Sequence, residues 1–317
     1  MKRLLRWESA LFVLLVLIAV IGSAATGGLF LTGRGLFNLG RDVSEVALIA
    51  LPLTLVIVAA EIDLSVDSVL GLSSALIGTL WNAGWPLEAI LPFVIVVGAL
   101  CGALNGFLVT KLGLPSLAVT IGTLALYRGL ALVVLGDQAV ADFPATYTQF
   151  GTTPVPGTWI PYPIVLFAVL AVVFGLLLHT TTFGRAIFAI GANEEAARFS
   201  GIRVKRVKFI LFVLTGAVAA LAGIVYTLRF ASARADNGTG LELDVVAAVL
   251  LGGVSIFGGR GTIGGVILAA LVLGGLTDAL ILSDIASEVV KLVTGILLLA
   301  SVLAPAVTKR LTRGSTR

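Results

Sequence analysis

Ionisable side chains are scarce in this sequence, and a few of them fall where long apolar runs would otherwise be unbroken. Glu61, Asp63 and Asp67 sit in AEIDLSVDS, Arg128 in TLALYRGLAL, Asp278 in GGLTDALIL and Lys291 in EVVKLVTG. A charge at membrane depth costs about 2.5–3.5 kcal/mol on insertion scales, so such groups turn toward a protein interior or an aqueous cavity. One reading places them near interfaces, where they snorkel or pair with one another. The other makes them a polar passage, with Asp63, Ser65, Asn105, Thr120, Thr123, Arg128 and Asp278 as its candidates. In that case the neutral Asn105, Thr120 and Thr123 suit a cargo rich in hydroxyl groups.

The other concentration of charge is 180–208, TTTFGRAIFAIGANEEAARFSGIRVKRVK. Its six cations are Arg185, Arg198, Arg203, Lys205, Arg206 and Lys208, and its two carboxylates are Glu194 and Glu195. Asn193 is a good N-cap, Glu194 and Glu195 place negative charge at the positive end of a helix dipole, and Gly201 can stop the helix. A short capped helix between two membrane spans is a handle by which a cytoplasmic partner can grip the protein.

Catalytic constellations are missing. The sequence has no Gly-x-Ser-x-Gly elbow, no cluster of metal-ligating residues, no Ser/His pairing at helical spacing and no glycine followed by lysine, as a phosphate-binding P-loop requires. The single Cys101 excludes a disulfide framework, and the lone His179 borders the charged loop as an interfacial residue. The expectation is a chain without enzymatic activity, bound metal or cofactor of its own. Few embedded carboxylates and histidines are available for a proton relay. A transporter of this kind takes its energy from a partner.

The elements that must carry these residues are membrane helices. The 317 residues are 58% hydrophobic and 12% charged, against about 25% charged in soluble domains. Charge-free runs such as Ser9–Gly33, Val69–Leu87, Ala89–Thr110 and Phe209–Leu228 can each cross about 30 Å of hydrocarbon as a helix. Periodicity and breakers predict an all-α polytopic bundle of about ten spans, at 9–27, 44–60, 68–83, 89–110, 117–135, 160–179, 209–228, 243–257, 262–281 and 288–306. With an inside amino terminus, fifteen of the 21 Lys and Arg fall on the cytoplasmic side, four outside and two within spans. This positive-inside bias puts both termini in the cytoplasm. Those cations flank membrane spans and do not indicate nucleic acid. Lys2, Arg3 and Arg6 before an apolar run ending Gly-Ser-Ala-Ala could pass for a signal peptide, but the length of that run favours an uncleaved first span. The 136–159 stretch is either a solvated outer loop or a docking surface for an extracytoplasmic partner. Ile57–Gly71 and Leu250–Gly264 echo each other faintly, about 190 residues apart. One membrane domain, 1–317, is expected, with the loop 180–208 carrying the capped helix.

Four ordered stretches carry a resemblance: EIDLSVDS (Glu61–Ser68), GTLALYRGLAL (Gly122–Leu132), GRAIFAIGANEEAARFSGIRV (Gly184–Val204) and SARADNGTGLELDVVAAVLLGGVSIFGGRGTIGG (Ser232–Gly265). Together they resemble, over nearly the whole chain, the permease subunits of bacterial ABC importers for monosaccharides, the ribose, xylose, arabinose, rhamnose and autoinducer-2 group. The resemblance implies a dimer of permeases in the inner membrane, homo- or heteromeric, surrounded by lipid. It further implies two cytoplasmic ATPases that bind ATP and Mg, and an extracytoplasmic sugar-binding protein. Asn193, Glu194, Glu195, Ala196, Ala197, Ser200, Gly201 and Ile202 would then form the coupling helix that docks on the ATPase. Glu61 and Asp67 replace two glycines of the family's Gly-Ile-Asp-Leu-Ser-Val-Gly-Ser motif, and Thr277-Asp278 stands where Asn-Gly is frequent. The Ser232–Asp236 run looks closest to the rhamnose and autoinducer-2 branch. Rival readings are a self-sufficient secondary carrier or channel, a membrane-embedded enzyme, and a permease for branched-chain amino acids or nucleosides on the same architecture.

Overall fold

The computed structural model describes residues 2–286, 289–290, 292–293 and 295–296, and every regular element among them is a helix. In chain order these are α1 (Lys2–Ala25), a 3-10 turn (Leu29–Leu31), α2 (Gly33–Val58), α3 (Val66–Asn82), α4 (Leu87–Thr110), α5 (Ser116–Leu135) and α6 (Ala145–Thr152). There follow α7 (Tyr162–Thr180), α8 (Thr182–Ala192), α9 (Glu194–Phe199), α10 (Val204–Phe230), α11 (Leu241–Leu251) and α12 (Ile263–Leu282). Six helical stretches are long and apolar enough to cross a membrane: Trp7–Ala25, Leu87–Thr110, Ser116–Leu135, Tyr162–Thr180, Val204–Phe230 and Ile263–Leu282.

The expected spans at 44–60, 68–83 and 243–257 become helices of a different kind. The first half of α2 carries Arg34, Arg41, Asp42 and Glu45, so only its second half is apolar. α3 is a 17-residue helix that begins after an irregular stretch, 59–65. α11 has 11 residues, because the chain leaves the helix at Gly252 and Gly253 and 252–262 is non-helical. The span expected at 288–306 falls largely outside the described residues, and Lys291 lies outside them.

The helices pack around α2 and α10. From Ala47 to Val58 every residue of α2 is buried, as an all-round apolar helix enclosed by neighbours must be. α4 crosses α10 at backbone distance: a Cβ on Gly102 would strike the Phe212 carbonyl, and one on Gly216 would strike the Gly98 carbonyl. Small residues permit this approach, which in hydrocarbon supplies dispersion contact where no hydrophobic force exists. The outward face of α4 remains apolar and open, with Phe93, Val96, Leu100, Leu104 and Phe107 exposed.

Loops 59–65, 111–115 and 252–262 gather with α8 and α9 at one end of the bundle, here the lower end. Trp7 Nε1 donates to the Leu251 carbonyl there (2.8 Å), Thr262 Oγ1 donates to Glu8 (2.6 Å), and Gly259 N donates to the Val58 carbonyl (2.8 Å). The two stretches that echo in sequence therefore touch in space.

Candidate functional site

The lower end of α2 sets the first problem. Non-helical backbone at membrane depth must find hydrogen-bond partners inside the protein. Between α2 and α3 side chains supply them: Ile62 N donates to Ser116 Oγ (3.1 Å), and Ser65 N donates to Asp63 Oδ1 (3.0 Å). The Ser65 hydroxyl donates to the same Asp63 oxygen (2.7 Å) and accepts from Asn105 Nδ2 (2.8 Å). Tyr127 OH donates to Asn105 Oδ1 (3.2 Å) and to the Cys101 carbonyl (2.8 Å). Thr120 Oγ1 reaches the Ile62 carbonyl (3.4 Å) and that of Ser116 (2.9 Å), while Thr123 Oγ1 donates to the Thr120 carbonyl (3.4 Å). Asp63 and Ser65 in the 59–65 stretch are thus brought together with Asn105 on α4 and Thr120 and Thr123 on α5, all at 0–5% exposure.

Arg128 lies farther along the same seam. Its Nη1 donates to the carbonyls of Ala235 (2.7 Å) and Asn237 (2.9 Å), and its Nη2 pairs with Asp67 Oδ2 at 3.0 Å. One guanidinium thereby satisfies two carbonyls of the non-helical 231–240 stretch and pairs with Asp67. Glu242, in the first turn of α11, also acts on the Asp67 carboxylate. Beyond it, Ser74 Oγ accepts from Thr227 Oγ1 and Asn237 Nδ2, each at 2.8 Å. Ser74, Asn237 and Glu242 carry no signal of this role in the sequence; the Asn-Gly-Thr-Gly run at 237–240 marks only a turn between two helices. Asp278 is not part of this group. It is buried on α12, under the influence of Asp42, Arg229 and Arg41, beside the network in which Arg229 pairs with Glu45 (2.8 Å) and Asp42.

The capped helix has the form its sequence predicts. Asn193 Oδ1 accepts from Ala196 N (2.9 Å). At the other end Gly201 N donates to the Arg198 carbonyl (3.0 Å) and Ile202 N to the Ala197 carbonyl (3.1 Å), with Gly201 at φ +83°. This pair of bonds is a Schellman closure, which needs a residue at ease in the left-handed region. Ser200 Oγ adds a bond to the Ala196 carbonyl (2.8 Å). Ala197 is buried beneath the helix, whereas Glu195, Ala196 and Phe199 face outward.

A lysine joins this helix to the break. Lys208, in the first turns of α10, sits 2.5 Å from Glu61 Oε1 and 2.6 Å from Glu194 Oε2, and Arg198 reaches the other Glu194 oxygen at 3.0 Å. Lys208 first, then Arg198, hold the Glu194 carboxyl below the usual carboxylate range, against the opposing effect of partial burial. A hollow of about 530 Å³ opens over this cluster, lined by Glu61, Ser116, Glu194, Arg198 and Lys208 among others. Ion pairs thus connect α9, through Lys208, to the segment that precedes α3.

Residues 35–302 match the model of the family described as branched-chain amino acid transport system/permease component. The chain is 37% identical over 309 residues to the autoinducer 2 import system permease protein LsrD of Klebsiella pneumoniae subsp. pneumoniae, covering 96% of this chain and 92% of that one. It is 36% identical to the protein of the same description from Enterobacter sp. strain 638 (94% and 92% covered). Identity is also 36% to that of Yersinia enterocolitica (92% and 89% covered). No solved structure matches the chain. Spread over nearly its whole length, this similarity makes the chain a multi-pass inner-membrane member of the branched-chain amino acid transport system/permease component family.

Proposed function

We propose that this chain is the membrane-spanning half of an ABC importer for autoinducer-2 or a related small polyol or monosaccharide. In this reading it works as a dimer, homo- or heteromeric, with separate cytoplasmic ATPases that bind ATP and Mg and an extracytoplasmic sugar-binding protein. The chain is one permease domain of about ten spans, with the lower end and both termini in the cytoplasm. The single observation that carries the mechanism is Lys208 bridging Glu61 at the α2–α3 break and Glu194 on α9. ATPase closure moves α9, and Lys208 passes that movement to the segment bearing Asp63 and Ser65, a switch between two global states.

The chemistry of the seam supports the choice of cargo. Ser65, Ser74, Asn105, Thr120, Thr123 and Asn237 offer hydroxyl and carboxamide groups, which match a polyhydroxylated solute. Of the embedded charges, Asp67 and Arg128 are engaged with each other, so neither is free to hold an amino-acid zwitterion. The family description and the architecture keep a branched-chain amino acid as the second reading. Uptake into proteoliposomes carrying this permease, with and without its cognate ATPase, tests the first. Accumulation of autoinducer-2 that requires both ATPase and ATP is the expected result. Flux indifferent to ATPase and ATP would make the chain a self-sufficient carrier, and ATP-driven uptake of leucine instead would assign the second reading.

A further inference from the structure

We propose that the lower end carries a binding site for the phosphate headgroup of an anionic phospholipid, between the end of α4 and the start of α10. A second hollow of about 590 Å³ lies there, and its lining includes Lys111, Arg198, Arg203, Lys205, Arg206 and Phe209 but no carboxylate. Arg198 is engaged by Glu194. None of the ion pairs among the described residues involves Lys111, Arg203, Lys205 or Arg206. α10 also begins here without a side-chain cap, so the positive end of its dipole opens on the same space.

What selects a lipid is the surface leading away from the cations. Leu100, Leu104, Phe107 and Lys111 recur at helical spacing on one face of α4, and all three apolar members are exposed, at 62%, 41% and 47%. An acyl chain lying along that stripe ends with its phosphodiester at Lys111, within reach of the cations on α10. Basic pockets between membrane helices hold anionic headgroups in this way. The site depends on the chain lying in a bilayer, and stands or falls separately from the role given to α9.

The test uses the full chain, purified in detergent and stripped of lipid, with lipid retention counted by native mass spectrometry. Phosphatidylglycerol is titrated against phosphatidylcholine and against inorganic phosphate. Phosphatidylglycerol should bind selectively, resist displacement by millimolar phosphate, and lose affinity on the order of a hundredfold in a Lys111→Gln/Lys205→Gln/Arg206→Gln variant. Arg34→Gln, at the opposite end, should leave affinity unchanged. Because all three substituted side chains are exposed, the variant is expected to fold, and an unchanged melting temperature confirms this. Equal retention of phosphatidylcholine, or an unaltered triple variant, would overturn the site. Displacement of lipid by free phosphate at equal concentration would reassign it to a soluble anion. Absence of lipid selectivity, with loss of ATPase co-purification in the variant, would make the patch a protein-docking surface instead.

Discussion

Replacing Lys208 with methionine keeps the length of the side chain and removes its charge. The side chains of Lys208 and Glu61 are 10% and 12% exposed, and their charged atoms lie 2.5 Å apart. Taking one partner from a buried pair costs about 3–5 kcal/mol, mostly because the other charge is left without compensation. Here the lower end, about 3 kcal/mol, applies, since Glu61 borders the hollow and can turn toward water. The Glu194 arm is worth far less, about 0.2–1 kcal/mol, because that side chain is 41% exposed and screened by solvent. A double-mutant cycle isolates the two arms. Lys208→Met/Glu61→Met should be more stable than Lys208→Met alone, with a 61–208 coupling of about 2 kcal/mol and a 194–208 coupling below about 1 kcal/mol. Denaturant unfolding of each corner of the cycle in mixed micelles supplies the numbers, and ATP-driven uptake by the same proteins supplies the functional counterpart. Additive effects at 61 and 208, within about 0.5 kcal/mol, would refute the idea that this contact carries load.

Other expectations are more local. Asn193→Ala removes the cap bond to Ala196 and should cost about 1 kcal/mol, read as faster amide exchange at Ala196 and Ala197 with the spans unaffected. The Glu194 carboxyl is held below its ordinary range by Lys208. Its contribution is therefore present above the ordinary carboxylate pKa and lost as pH falls through the lowered folded value; Glu194→Gln should flatten the acid limb of α9 exchange protection. Arg128→Met leaves Asp67 and two backbone carbonyls without their partner, so it should destabilise by about 3 kcal/mol or more, measured by thermal melting. Arg128→Lys should recover only part of that loss, because an ammonium cannot reproduce the guanidinium fork.

Local chemistry makes α9 legible in the sequence alone. The cap at Asn193, the acidic first turn and the stop at Gly201 each act within four residues, and a single sequence contains all of that. α8 is hidden by the charge around it, although Phe183, Ile187 and Ile190 recur at helical spacing behind Thr181, whose hydroxyl accepts from Gly184 N (3.1 Å). Five residues of the expected 180–208 loop, 204–208, belong to α10, since Val204, Val207 and Lys208 are buried against neighbours that periodicity cannot name. α11 stops at Leu251 because Gly252 packs against the backbone of Val266 on α12 and Gly253 turns the chain in the left-handed region (φ +86°). Contacts of this kind, Lys208 with Glu61 above all, depend on tertiary structure. The sequence marks such residues as expensive to bury but does not say which partner offsets the cost.

Phe199, 89% exposed at the end of α9, offers the most direct test of where force enters. A cysteine there, in a background lacking the buried Cys101, can be titrated with a membrane-impermeant maleimide from each side, with and without the ATPase. The account predicts labelling only from the cytoplasmic side and protection once the ATPase is bound. Labelling from the outer side, or labelling that the ATPase leaves untouched, would contradict it.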